Sequence, residues 1–223
     1  MESKPYLHGG CGRIILPGPK PAHHNLIDSA VYDYPLFLNV DRNAEPGVDE
    51  IVDLFQVPFP WADNSFDGAL FAHLCEHLPH EIKIAPFGVG VWTDRAAYDQ
   101  RVAELSACQD FWYAWWAEVH RVLTPGAVAH ILSPYGWSQG AITDPSHCRM
   151  ITEHTFTHSL QPDPNSPFRY ETAGLNLRLV EPCRFGITPM FAHLIDRPEL
   201  LQQALMTQLN VAYEIAACLE AVK

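Results

Sequence analysis

At 223 residues and 48% apolar composition, the chain suits one α/β domain with an appendage and is too short for two full domains. The formal charge of -12, from 14 Lys plus Arg against 26 Asp plus Glu, gives no electrostatic footing on a phosphate backbone or an anionic membrane, which argues against nucleic-acid and membrane partners. Cys11, Cys75, Cys108, Cys148, Cys183 and Cys218 are scattered singly with no CxxC pair, and no leader-like or membrane-length apolar run occurs. The expected setting is the reducing cytoplasm.

In chain order, short β-rich apolar runs alternate with stretches of helical period. This is the pattern of a doubly wound, mostly parallel, Rossmann-like sheet with crossover helices. Strands are expected at residues 5–9, 36–40, 50–52, 68–72 and 127–132. A single helix is expected from residue 96 to 123, because Val102, Leu105, Trp112, Trp115, Val119 and Val122 recur at spacings of a packing stripe, and Thr124, Pro125 and Gly126 stop it. The cluster Phe111, Trp112, Tyr113, Trp115, Trp116 follows that stripe and reads as helix core. Ser133, Pro134 and Tyr135 read as a strand-ending turn, and the prolines between 162 and 167 as a loop.

Residues 175–180 and 184–188 are separated only by Glu181, Pro182 and Cys183, so an antiparallel C-terminal hairpin is expected. From 198 to 222, Pro198 opens a segment with Leu201, Leu205, Ala212, Ile215 and Leu219 on one side. This predicts a C-terminal amphipathic helix over 198–223 that docks on the 1–197 domain or pairs with another copy as a homo-oligomer.

Three features carry chemistry. Gly9, Gly10, Cys11 and Gly12 follow the first strand, where glycines let the backbone approach a nucleotide closely. Asp41 ends the second strand, where an acid can accept both ribose hydroxyls of an adenosine. Its wide spacing from the glycines is taken up by the Pro- and His-rich loop 17–25. Asp53 and Leu54 then follow the third strand and lead into Val57 through Asp67, "VPFPWADNSFD".

At this point the chain resembles the class I S-adenosylmethionine-dependent methyltransferase superfamily, particularly small bacterial and phage-type members that read "DL…PFPDNSFD" before the fourth strand. His73 through Leu78, "HLCEHL", resembles the segment after that strand. Glu118 through Gly126, "EVHRVLTPG", resembles the turn into the fifth, and Asp144 through Arg149, "DPSHCR", resembles a "DPTHVR" element. The resemblance spans residues 5–160. It implies S-adenosylmethionine as cofactor, with Gly10, Cys11 and Gly12 bordering the methionine part, Asp41 on the ribose, Asp53 and Leu54 flanking adenine, and His73 beside the sulfonium end.

Methyl transfer asks the protein to align a nucleophile and, where needed, to remove its proton. His147 is the expected base, oriented by Asp144, and Arg149 is placed to hold an anionic acceptor. The competing reading has Asp144 capping a helix while His147 and Arg149 bond locally. A metal framed by His73, His77, Asp144 and His147 is weighed and not adopted, since the ligand pattern is weak. The acceptor is expected to be a small molecule or glycan-like, recognised by inserts at 79–94 and 135–174. Methyl transfer to a macromolecule, and a non-catalytic cofactor-binding partner subunit, stay open. A nicotinamide oxidoreductase is disfavoured by the missing third glycine.

Overall fold

The computed structural model describes residues 4–17, 20, 21, 24–160 and 175–223. The proline-rich stretch 162–167, the far end of the 135–174 insert and parts of the loop 17–25 lie outside the described residues.

The elements run β1 (Tyr6–Gly9), α1 (Ser29–Tyr32), β2 (Phe37–Asp41), β3 (Glu50–Ile51), β4 (Phe66–Ala72), a 3₁₀ turn (Cys75–His77), α2 (Arg95–Ser106), α3 (Phe111–Val122) and β5 (Leu123–Pro134). They continue with α4 (Gln139–Thr143), α5 (Glu153–Ser159), β6 (Leu177–Leu179), β7 (Arg184–Ile187), a second 3₁₀ turn (Pro189–Leu194), α6 (Pro198–Thr207) and β8 (Ala212–Ala221). Among the described residues, one sheet holds all eight strands in the order β3-β2-β1-β4-β5-β8-β6, with β7 also on β8. The first five are mutually parallel, and β8 is antiparallel to its neighbours. The expected doubly wound α/β class holds.

Both faces of the sheet are buried. Ala69, Phe71 and Ile131 pack with α3 on one face, while Leu70, Leu132 and Ala216 pack with Ile27, Val31 and Tyr32 on the other. Chain order reverses between β1 and β4, because β1 is followed by β2 on one side and borders β4 on the other. In open α/β sheets the crevice for ligands forms at such a point, beyond the carboxyl ends of the strands.

Three expectations are corrected. The long helix is two, because Asp110 accepts the Trp112 N–H (2.7 Å) and starts α3 afresh after α2 ends at Ser106. The aromatic cluster of α3 is core, as expected: Phe111, Trp115 and Trp116 are fully buried. The hairpin is also revised, since β6 and β7 do not pair with each other. Both lie along the same edge of β8, with Leu179 opposite Leu219 and Arg184 opposite Ala216, and the intervening residues bulge. Finally, the C-terminal helix ends at Thr207. Ala212, Ile215 and Leu219, read as a helical face, are fully buried residues of β8 and offer no face to another copy.

The resemblance-bearing motifs have a physical tie. Glu118 is completely buried, and its carboxylate accepts from the Phe59 N–H (2.6 Å), from Arg101 Nε (2.8 Å) and from Arg121 Nε and Nη2 (2.9 and 2.7 Å). Arg121 donates onward to the Trp61 carbonyl and Asp63. The "EVHR" turn of α3 therefore locks the "PFPWADNSFD" loop that leads into β4.

Candidate functional site

Four consecutive strand ends, in the order β3, β2, β1, β4, meet a cavity of about 370 Å³. Val52, Asp53, Leu54 and Phe55 line it after β3, Asp41, Arg42 and Asn43 after β2, Gly10 after β1, and His73, Leu74 and His77 after β4; Ser146 closes one side. Of the cofactor residues expected from sequence, Gly10, Asp41, Asp53, Leu54 and His73 all come together here.

The turn after β1 is built for close approach. Gly10 and Gly12 take φ of +68° and +52°, and the Gly10 and Cys11 N–H groups both donate to the Val40 carbonyl. A Cβ on Gly10 would sit 3.0 Å from the Leu74 side chain, and one on Gly9 2.6 Å from the Phe71 ring. Cys11 is buried and is not part of the cavity lining. Burial pushes its thiol up to about 11, so it stays protonated.

Asp41 joins the two turns. Its Oδ2 accepts the Gly12 N–H (3.0 Å), and its Oδ1 accepts the Asn43 N–H and Nδ2 (2.9 and 3.2 Å). A carboxylate has about four acceptor positions, so one remains for a hydroxyl in the cavity. Asp53 is held in the same way by the Phe55 N–H and Gln56 Nε2 (3.0 and 2.9 Å).

The β4 end carries the charge. His73 has positive φ (+55°), and its N–H is tied to the Leu132 carbonyl (2.8 Å). Its Nδ1 lies 3.5 Å from Glu76 Oε1 and its Nε2 3.4 Å from Glu214 Oε1. Both carboxylates are buried. Desolvation favours neutral His73, but Glu214 and Glu76 together outweigh it and hold the imidazole at about 9, so it is a cation at neutral pH between two acids. Ser133 Oγ donates to Glu76 Oε2 (3.0 Å).

His147 lies behind Ser146 and packs edge-on against His77, with ring centroids 4.8 Å apart. Its Nδ1 is bonded to the Ala141 carbonyl (3.1 Å), and its Nε2 is 3.7 Å from Asp144 Oδ2. The other Asp144 oxygen accepts the Ser146 N–H and Oγ (2.8 and 2.6 Å). Arg149 is turned away from this cavity. Its guanidinium donates to the Leu78 and Pro79 carbonyls and pairs with Asp110 (2.5 Å), beside a second cavity of about 480 Å³ lined by His80, Trp112 and Met150.

The insert 79–94 is largely engaged with the 57–60 loop. The Val57 N–H donates to the Lys83 carbonyl, and the Ala85 and Val91 N–H groups to the Val57 and Pro60 carbonyls. Among its residues, His80 reaches a cavity.

The sequence reading missed Glu76 and Glu214 as partners of His73, and Arg42, Asn43 and Phe55 as lining. Arg42 and Asn43 were available as neighbours of Asp41. Glu214 carried no signal, because its strand was read as helix.

No protein-family profile matches the chain, and no curated protein matches it. Among solved structures it is similar to a SAM-dependent methyltransferase from Archaeoglobus fulgidus, at 14% identity and a TM-score of 0.51 over 98% of this chain and 86% of that one. It is also similar to the YcgJ protein of Bacillus subtilis (14%, TM-score 0.48, 99% and 93% covered) and to an S-adenosylmethionine-dependent methyltransferase from Mesorhizobium loti (12%, 0.46, 98% and 91%). At these identities the first match, with its TM-score above 0.5, shows a shared fold and no more.

Proposed function

We infer that the protein binds S-adenosylmethionine across the ends of β3, β2, β1 and β4 and transfers its methyl group to a small-molecule or glycan-like acceptor. The observation that carries this reading is Asp41, an acid at the end of β2 with spare acceptor capacity, lining the cavity together with Gly10 and bonded to Gly12 of the same turn, which is itself outside the lining. The strand order supports the rest of this reading. Leu54 and Asp53 flank the adenine, Asp41 takes the ribose, and Gly10 lets the methionine part lie against backbone that a side chain would block.

When bound, the cofactor supplies an already activated methyl group on a sulfonium. The protein's task is then alignment and charge. His73 with Glu76 and Glu214 sums to one negative charge, which complements a sulfonium. Removal of a proton from the acceptor is assigned to the corner made by His77, His147 and Asp144, next to the Ser146 side of the cavity. With Arg149 committed to backbone carbonyls and Asp110, an anionic acceptor would be held instead by Arg42, which lines the cavity.

The test is ligand-dependent thermal or urea stability with S-adenosylmethionine, S-adenosylhomocysteine and NAD. At 100 times its dissociation constant a sulfur nucleotide adds about 2.7 kcal/mol. Asp41→Ala removes that gain, and NAD gives none in either protein. Equal stabilisation of wild type and variant would end this reading.

A further inference from the structure

His77 and His147 are prepared for something the cofactor does not explain. Each ring has its Nδ1 against a backbone carbonyl, His77 on Ser146 (3.1 Å) and His147 on Ala141 (3.1 Å). A carbonyl can only accept, so Nδ1 carries the proton in both rings and Nε2 is left with its lone pair. This is the way ligating histidines are held by their outer partners. Opposite His147 Nε2, 3.7 Å away, stands another acceptor, Asp144 Oδ2. Two acceptors so placed are held together by a proton or by a metal ion.

A third donor is present. Glu76 offers a carboxylate oxygen, and one ligand atom each from Glu76, His77 and His147 lie within 4.8 Å of one another. Glu76 is 1% exposed; its Oε2 accepts from Ser133 Oγ, and its Oε1 faces His73 Nδ1 from 3.5 Å, outside hydrogen-bond geometry. The backbone holds the group together, because the Glu76 carbonyl accepts the N–H groups of both Cys148 and Arg149 (2.7 and 3.0 Å), clamping the two ligand-bearing segments side by side.

We propose that Glu76, His77 and His147, with Asp144 beside them, bind a divalent transition ion of the zinc class. Two imidazoles and one carboxylate suit that class, and three protein ligands leave a coordination position open. The donors must draw in from 4.8 Å to roughly 3.3 Å, the separation set by bonds of about 2.0 Å in a tetrahedron. That is within reach of side-chain rotation. In its role, though not in its existence, the ion rests on the methyl-transfer reading. His77 lines the cofactor cavity, so the open position is where an acceptor oxygen would bind and pass its proton to Asp144, the member of that corner left unligated, before its lone pair takes the methyl group.

The experiment strips the full-length protein with a chelator and titrates it with Zn²⁺, and separately with Co²⁺ followed by its visible ligand-field absorption. One ion per chain is expected. His77→Ala and His147→Ala should each weaken binding by more than about 100-fold, the upper end of what loss of an outer partner alone does. His193→Ala, at an exposed histidine elsewhere, should leave it unchanged. Histidine ¹⁵N spectra of the wild type cover the case in which a variant does not fold, since Zn²⁺ should move two Nε2 resonances and leave the rest. Absence of saturable binding, or equal binding by both variants, overturns the site. Asp41→Ala separates the two readings: it should keep the ion while losing stabilisation by S-adenosylhomocysteine.

Discussion

Two buried acidic clusters flank β4 and differ in how their charges are met. At the amino end, Glu118 is fully enclosed by two arginines and a backbone N–H, with both oxygens satisfied. At the carboxyl end, Glu76 and Glu214 share one histidine at 3.5 and 3.4 Å, and Glu214 Oε2 has no hydrogen-bond donor among the described residues. A completed network holds a fold together. An incomplete one, at the crevice of the sheet, keeps net negative charge beside the cavity.

The comparison breaks first at Glu118. Glu118→Ala leaves Arg101 and Arg121 half-desolvated without a counter-charge and frees the 57–63 loop, so the expected loss is about 3–5 kcal/mol, read from urea unfolding. A loss under about 1 kcal/mol would mean that packing, not this network, holds the motif.

The carboxyl-end cluster responds to pH instead. His73 has a folded pKa of about 9, above its unfolded value near 6.5, so its stabilisation is complete below about pH 6.5 and disappears as pH rises through 9. His73→Gln should flatten that limb. Since the ring is partly exposed, the slope removed should fall well below the single-group ceiling of about 1.4 kcal/mol per pH unit. An unchanged pH profile would show that His73 is not the shared cation. Buried His8 and His130, both lowered to about 4 chiefly by burial, act in the opposite window, adding stability as pH rises from 4 to 6.5 in wild type and variant alike.

The smallest effect is expected at the surface. Arg178 and Glu220 pair at 2.5 Å across β6 and β8, but the Arg178 side chain is 63% exposed, so Arg178→Ala should cost at most about 1 kcal/mol and less at high salt. A larger cost would reveal that the β6 edge is held by this pair.

The legible part of the molecule is its first half. Strand, turn and acid recur there within short sequence distances, and Gly10, Asp41, Asp53, Leu54 and His73 could be placed at one sheet edge because each directly follows a strand. The apolar spacing continued across Asp110 and hid the break between α2 and α3. In the second half the signals misled. β8 is buried on both faces, so it shows no alternation, and its Ala, Leu and Glu content favours helix.

By itself the sequence determined the fold class, the strands from β1 to β5 and the residues that gather at their carboxyl ends, because these depend on local periodicity and on turns next to their strands. Tertiary structure alone decided that the final segment enters the sheet between β5 and the β6–β7 edge. It thereby brought Glu214 to His73, and the segment at 144–149 beside Glu76 and His77. Those contacts join residues far apart in the chain, and burial in a shared sheet, rather than any local preference, selects them.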